Sequence, residues 1–476
     1  MIEQNRNKKF IKDIFIYGVG NLGARLIMFL IFPLYTFFIT PDNLGYYNTA
    51  LMTIFLIMPF VNIQLRDGVF RFLIDNNDEN NRKAVINQSY RLILLAMVIA
   101  SLLFFIVSAF IPIRCGYYIL GLLLTMSFYE VQIQIVRGLG HTKLFVGCGI
   151  LSTFLIAIFS IIFVVCLKWN IEGIFIANIL ARLFIISYIE IRLSIVRNYF
   201  SLRVTDTGII RMLLKYCSPL IMVVSFMWVI GNSYIYFINY YYGFYEAGQF
   251  STVLKFATII ELLAVIVFQA WQETSVLQLN SKDRDRYYSS ILNSYLLLLT
   301  GVVITLSFIL KSFYGKLVDT EYESSIIYLY VLCVAQMGYA LQAFIAAIFQ
   351  AKKNTMRMLY IAFVSSIVSL FSNYLLIKQI GLMGIAIAYG ISFFFMFICY
   401  LISVRKTVKI SFSTQTLIVS IVALAGGGII FYHTEQILWR LIYWGLCMIA
   451  IYFTFPKTIL SGAKSFIIDK YSNFRK

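Results

Sequence analysis

Long apolar runs separated by short polar segments dominate the pattern of this chain. The runs are apolar on every helical face, with no polar stripe of the kind that marks a surface helix of a soluble domain. About twenty such residues make a helix long enough to cross the hydrocarbon core of a bilayer. Fourteen runs qualify, near 14–39, 46–65, 92–112, 116–136, 144–167, 174–191, 216–239, 248–272, 289–310, 326–349, 358–377, 382–403, 414–432 and 437–455. The thirteenth holds Gly426-Gly-Gly428 and has the weakest helix propensity. The pattern predicts an all-α, polytopic membrane protein with about fourteen transmembrane helices.

Two stretches recur in order. Gly45-Tyr-Tyr-Asn-Thr-Ala-Leu51 returns as Gly248-Gln-Phe-Ser-Thr-Val-Leu254, 203 residues later, and Gly173-Ile-Phe-Ile-Ala177 returns as Gly384-Ile-Ala-Ile-Ala388, 211 residues later. A repeat of six spans is even, so both copies enter the membrane from the same side, as parallel repeats. The expected organisation is an N-terminal lobe (residues 1–200, spans one to six), a C-terminal lobe (201–410, spans seven to twelve), and an appendage of two helices with a tail (411–476). Duplicated lobes in a membrane protein suggest a transporter rocking around a shared central site.

Composition agrees, with 61% hydrophobic and 13% charged residues. The net charge of +18 would suggest nucleic acid if it formed one patch, but its distribution is that of a topology signal. With the N-terminus inside, 29 of the 39 Lys and Arg residues fall on cytoplasmic segments, four lie inside spans, and six lie in outer loops (Arg114, Lys168, Lys311, Lys316, Lys378 and Arg440). This is a strong positive-inside bias. Both termini are then cytoplasmic, the remaining charge meets lipid headgroups, and no nucleic-acid partner is expected. Seven cysteines without a CxxC pair and two histidines, His141 and His433 at span ends, point to no disulfide framework, no metal site and no cofactor. No Walker A sequence is present.

A charge in mid-bilayer costs roughly 2.5–3.5 kcal/mol on insertion scales, so it usually faces a bundle interior or a water-filled cavity. Arg25 lies about ten residues into the first span, roughly 15 Å deep, with Asn21 one turn earlier on the same face. Lys255 lies roughly 10 Å into the eighth span. Arg182 in the sixth span shares a face with Asn178. These are the candidate cavity-lining residues, each set against a plain interhelical pairing or snorkelling role. Arg66, Asp67 and Arg71 cluster at the inner end of the second span, where Asp67 and Arg71 have the spacing of an ion pair; the group is either a topology anchor or an entrance that attracts an anionic headgroup. Glu261 and Glu130 are candidates for coupling to H⁺ or Na⁺, as is Asp67, against the alternative of neutral, hydrogen-bonded carboxyls. Six residues separate Lys255 from Glu261, which on one continuous helix puts them on different faces. The deep charges are not repeated: across the 203-residue offset, Arg25 meets Trp228 and Lys255 meets Met52.

The span 1 sequence Phe32-Pro-Leu-Tyr-Thr-Phe-Phe-Ile-Thr-Pro-Asp-Asn-Leu-Gly-Tyr-Tyr47 resembles the LLPLYTRxLSPxEYGxY signature of Wzx-type polysaccharide and O-antigen flippases, members of the multidrug/oligosaccharidyl-lipid/polysaccharide exporter superfamily. Arg71-Phe72, Arg137-Gly-Leu-Gly-His-Thr-Lys143 and Gly243 to Lys255 are similar to further motifs of that family, and the likeness covers spans one to twelve. It departs at Phe37, where the family often has a basic residue. Lipid II flippases share the architecture, but their longer N-terminal motifs are not evident.

The resemblance implies flipping of an undecaprenyl-diphosphate-linked oligosaccharide across the bacterial inner membrane for O-antigen (lipopolysaccharide) or capsule assembly. It implies a polysaccharide polymerase and a chain-length regulator as partners, beside membrane lipids and the polyprenyl-diphosphate-linked cargo. Arg25, Lys255, Arg182, Arg66, Arg71 and Asn21 would then meet the diphosphate or glycan. A cation-coupled exporter of small amphipathic drugs or metabolites on the same fold is the alternative; a predominance of deep basic over deep acidic residues favours the anionic cargo. A membrane enzyme of the same pathway is disfavoured, because the outer loops are short and hold few acid–base groups.

Overall fold

In a computed structural model, residues 31–75, 78–201, 206–352, 354–405 and 407–456 are described, and all regular structure among them is helical. Arg25 and Asn21 lie outside the described residues. Twelve of the helices are long and apolar enough to cross a membrane. Backbone polar groups have no water to bond in hydrocarbon, so each helix must satisfy its own.

The described residues up to Asn232 form one compact unit and those from Ser233 form the other. The first contains α1 (Pro41–Val61), α2 (Leu65–Asp75), α3 (Glu79–Phe110), α4 (Gly116–Gly138), α5 (Thr142–Ser160, prolonged by a π-helical turn), α6 (Asn170–Leu193), the short α7 (Ile195–Tyr199) and α8 (Thr207–Asn232). α8, the helix of the seventh span, packs on α2: the Phe72 and Tyr216 rings meet at 5.5 Å. A Cβ on Gly68 would lie 2.5 Å from Cys217 Sγ, so the close approach of these helices requires the glycine. α3 presents Leu95, Val98, Leu102, Phe105 and Phe110 outward, and only 6% of its most apolar stretch is buried, as expected of a lipid-facing helix.

The second unit contains α9 (Tyr234–Tyr241), α10 (Phe244–Ala257), α11 (Ile259–Leu277), α12 (Arg284–Leu317), a 3₁₀ segment (Thr320–Tyr328), α13 (Leu329–Ala351), α14 (Thr355–Arg405), α15 (Thr414–His433) and α16 (Ile437–Thr454). The 3₁₀ segment and α13 form its core, 78% buried over their most apolar stretch. α14 is two helices joined across Ile380 and Gly381, where Gly381 takes φ +63°. These are the eleventh and twelfth spans of the sequence reading.

The glycine triplet does not interrupt α15. The missing side chains admit two tyrosines: Tyr443 donates to the Ala423 carbonyl at 3.1 Å, and Tyr330 donates to the Leu424 carbonyl. A Cβ on Gly426 would lie 2.2 Å from the Tyr443 hydroxyl. Tertiary packing therefore overrides the poor intrinsic propensity.

Both repeated stretches have matching local structure. Thr49 Oγ1 donates to the Gly45 carbonyl at 2.7 Å, and Thr252 Oγ1 donates to the Gly248 carbonyl at 2.8 Å. Gly173 and Gly384 both follow a chain reversal and sit tight against the preceding helix. Their Cβ positions fall 3.1 Å from Phe163 Cβ and 2.1 Å from the Leu376 carbonyl oxygen.

Candidate functional site

Each unit holds a constellation of buried or half-buried charge among its described residues. In the first, its shape starts from the end of α1. Pro59 lies in the last turn, and the Pro59 carbonyl accepts from Gln64 N at 3.0 Å. Ile63 and Gln64 adopt left-handed backbone with φ of 52° and 49°. For a β-branched residue this is a strained conformation, costing on the order of 1–3 kcal/mol. Asn62 holds it in place: Oδ1 accepts from Gln64 N at 2.8 Å, and the Asn62 carbonyl accepts from Leu65 N at 2.8 Å. The chain then restarts as α2 with Arg66 and Asp67 in its first turn.

Gln64 Nε2 donates to Asp67 Oδ2 at 2.7 Å, and Arg66 Nε stands 3.7 Å from Asp67 Oδ1. The tight turn thus brings both Gln64 and Arg66 to Asp67, and Arg71, one turn further along α2, is exposed. Arg66 Nη1 also reaches Glu130 Oε2 on α4 at 3.1 Å, a pairing the sequence did not suggest. On α6, Arg182 Nη1 donates to the Asn178 carbonyl at 2.8 Å and to Asn178 Oδ1 at 2.9 Å. Tyr47, Tyr129 and Glu130 lie within electrostatic reach of the Arg182 guanidinium. Glu130 is therefore shared between two arginines, one directly paired and one nearby.

In the second unit the eighth span is kinked. α10 ends at Ala257, Thr258 Oγ1 donates to the Lys255 carbonyl at 2.6 Å, and α11 begins at Ile259. Thr258 keeps right-handed helical backbone, its N–H donates to the Leu254 carbonyl and its carbonyl accepts from Leu262 N, so the chain kinks there and runs on, and Glu261 acts electrostatically on Lys255. Glu261 also lies in reach of Tyr389 on the second half of α14. Tyr389 accepts a long hydrogen bond of 3.5 Å from Gln336 Nε2 and meets the Tyr234 ring edge-on at 5.9 Å. Glu261 thus lies in electrostatic reach of both Lys255 and Tyr389, and Gln336 bonds the Tyr389 hydroxyl. Tyr389 and Gln336 carry no motif, and only their place on apolar spans as polar residues marked them.

The recognisable motif residues have scaffold roles. Tyr35 shares a 2.7 Å hydrogen bond with Ser160, and Thr36 Oγ1 donates to the Pro33 carbonyl at 2.7 Å. Pro41 opens α1 at the position where a missing N–H costs nothing. Arg137 lies 4.1 Å above the Phe70 ring, while a Cβ on Gly138 would lie 2.7 Å from Leu73 Cδ1. Gly140, at φ +88°, then turns the chain into α5.

No family model and no curated protein sequence matches the chain. Solved structures do match it. A structure of the lipid II flippase MurJ in an inward closed conformation superposes with a TM-score of 0.69 at 17% identity, covering 97% of this chain and 99% of that one. An inward-facing multidrug resistance MATE transporter of the MOP superfamily gives 0.59 at 14% identity, covering 91% and 96%. A MOP-superfamily transporter from Pyrococcus furiosus gives 0.57 at 14% identity, covering 90% and 97%.

The fold is that of the MOP-superfamily transporters. A MOP-type fold accounts for the multi-pass architecture and the absence of any sizeable extramembrane domain among the described residues. At these identities the likeness is one of fold, and it transfers no residue role from those proteins to Arg66, Glu130, Arg182, Lys255 or Glu261.

Proposed function

We propose that this protein flips an undecaprenyl-diphosphate-linked oligosaccharide repeat unit from the cytoplasmic to the outer leaflet of a bacterial inner membrane, for O-antigen or capsular polysaccharide assembly. The observation that carries the reading is the match, along nearly the whole of both chains, to a protein named as a lipid II flippase. The Wzx-like motifs support it, as do the basic groups inside the spans. A diphosphate is a compact anion that arginine binds bidentately and lysine as a point charge. Arg182 and Lys255, with Arg25 and Asn21, are the proposed ligands of the diphosphate and glycan. Arg66 and Arg71 form the proposed cytoplasmic entrance.

In this reading the lobes of residues 1–200 and 201–410 alternate in access, with both termini cytoplasmic and a polymerase and chain-length regulator receiving the product. Glu130, Asp67 and Glu261 are the proposed coupling sites for H⁺ or Na⁺. Each faces a basic group, so neutralising Glu130 or Glu261 frees a cation to meet an anionic cargo. That arrangement couples ion binding to cargo binding without a nucleotide.

The MATE matches favour a second reading, a cation-coupled exporter of small amphipathic molecules. A cationic drug requires uncompensated carboxylates, whereas Glu130 is bonded to Arg66. In the test, a strain lacking the protein regains surface glycan on expression of the wild type. Unchanged drug sensitivity together with lost glycan supports the flippase, and the reverse supports the exporter.

A further inference from the structure

A buried cation stands apart from both constellations, between α12 and α16. Arg440 lies in the first turn of α16, at the outer edge of the last expected span, where its charge counted with those of the outer loops. It is only 6% exposed. Nη2 donates to the Glu435 carbonyl at 3.0 Å, but Nε and Nη1 are buried with no hydrogen-bond partner. The side chain of Glu435 is engaged elsewhere: Lys311 Nζ donates to Glu435 Oε1 at 3.0 Å and also bonds the Phe431 carbonyl. Lys311 thus takes the Glu435 carboxylate, while Arg440 meets only the backbone carbonyl of that residue.

A buried, unpaired guanidinium costs several kcal/mol, and the first turn of a helix is also where the macrodipole disfavours a cation. Both penalties are relieved by an anion. Arg440 lines a cavity of about 250 Å³ whose other walls include Phe308, Phe313, Ile437, Leu441 and Trp444. Trp444 is fixed there by a 2.8 Å hydrogen bond from Nε1 to Thr305 Oγ1. The cavity is below the roughly 300–1,000 Å³ of a site for a drug-sized molecule. Its walls suit a segment of a single hydrocarbon chain.

We propose that this groove is a binding site for an anionic glycerophospholipid. The headgroup phosphate bonds the free Nε and Nη1 of Arg440, and an acyl chain lies against Leu441 and Trp444. A planar fork of two donors matches two phosphate oxygens. Arg440 lies within one turn of the end of a helix long and apolar enough to span, and basic side chains near span ends reach to the interface.

The test uses the purified full-length protein in detergent, read by thermal shift and native mass spectrometry. The probes are phosphatidylglycerol, phosphatidylcholine and inorganic phosphate. Phosphatidylglycerol is expected to stabilise the wild type at lower concentration than phosphatidylcholine, and phosphate alone to have no effect. Loss of a charge-assisted bidentate contact predicts about tenfold weaker phosphatidylglycerol binding in Arg440→Gln. Leu441→Trp, which fills the cavity and keeps the charge, is expected to weaken it as well, and serves if Arg440→Gln does not fold. Equal binding of phosphatidylglycerol to wild type and either variant overturns the proposal, as does an equal shift from inorganic phosphate.

Discussion

The Arg66–Glu130 contact joins the start of α2 to the middle of α4, and its removal gives a quantitative test of the first constellation. At 3.1 Å, Coulomb's law with an effective dielectric of about 20 gives roughly 5 kcal/mol of attraction. Side-chain exposures of 38% and 26% and the cost of dehydrating both ions reduce this to a net of about 1–3 kcal/mol. Glu130→Gln leaves Arg66 with only the longer contact to Asp67 and removes the acid that offsets Arg182. Arg66→Gln leaves Glu130 without its direct partner. Each single change is expected to lower the melting temperature of the purified protein. The double mutant is expected to melt no lower than the worse single mutant, because it strands neither charge. Coupling of about 1–2 kcal/mol in this cycle is the expected result. Strictly additive losses would show that the two groups do not act on each other and would refute the reasoning.

Arg182→Ala and Lys255→Ala are each expected to cut cargo translocation by roughly tenfold or more, the weight of a charge-assisted phosphate contact, with protein levels in the membrane unchanged; surface-glycan staining beside an immunoblot checks this. Gly384→Ala places a Cβ about where the Leu376 carbonyl oxygen lies, 2.1 Å away, and is expected to abolish folded protein on size-exclusion chromatography. Gly445→Ala, with nothing within 4 Å, serves as the neutral control. In a background free of the seven native cysteines, Lys282→Cys is expected to be labelled only from the cytoplasmic side and Tyr240→Cys only from the outside; labelling of both from one side would contradict the topology.

The membrane architecture was legible because hydrocarbon imposes a single rule on every span: apolar side chains outside and a self-satisfied backbone inside. The repeat was legible because glycine and threonine do the same local work in both copies. The constellations were only half legible. Arg182 with Asn178 follows from helix periodicity, and the structure bears out that pairing. Arg66 with Glu130 does not, because its geometry depends on two consecutive left-handed residues, Ile63 and Gln64, neither of them glycine. The kink at Thr258, between Lys255 and Glu261, was hidden for a similar reason: no proline or glycine announces it. Arg440 read as a loop residue because positive charge near a span end is usually solvated, and only side-chain packing shows it enclosed.

The central claim is tested most directly by translocation in proteoliposomes. The wild-type protein is reconstituted with a fluorescent undecaprenyl-diphosphate-linked oligosaccharide, and a membrane-impermeant glycosidase reports arrival at the outer leaflet. Protein-dependent exposure of the glycan that falls in Arg182→Ala and Lys255→Ala is the predicted result. Exposure equal to that of protein-free liposomes, with a fluorescent cationic drug transported instead, would contradict the account.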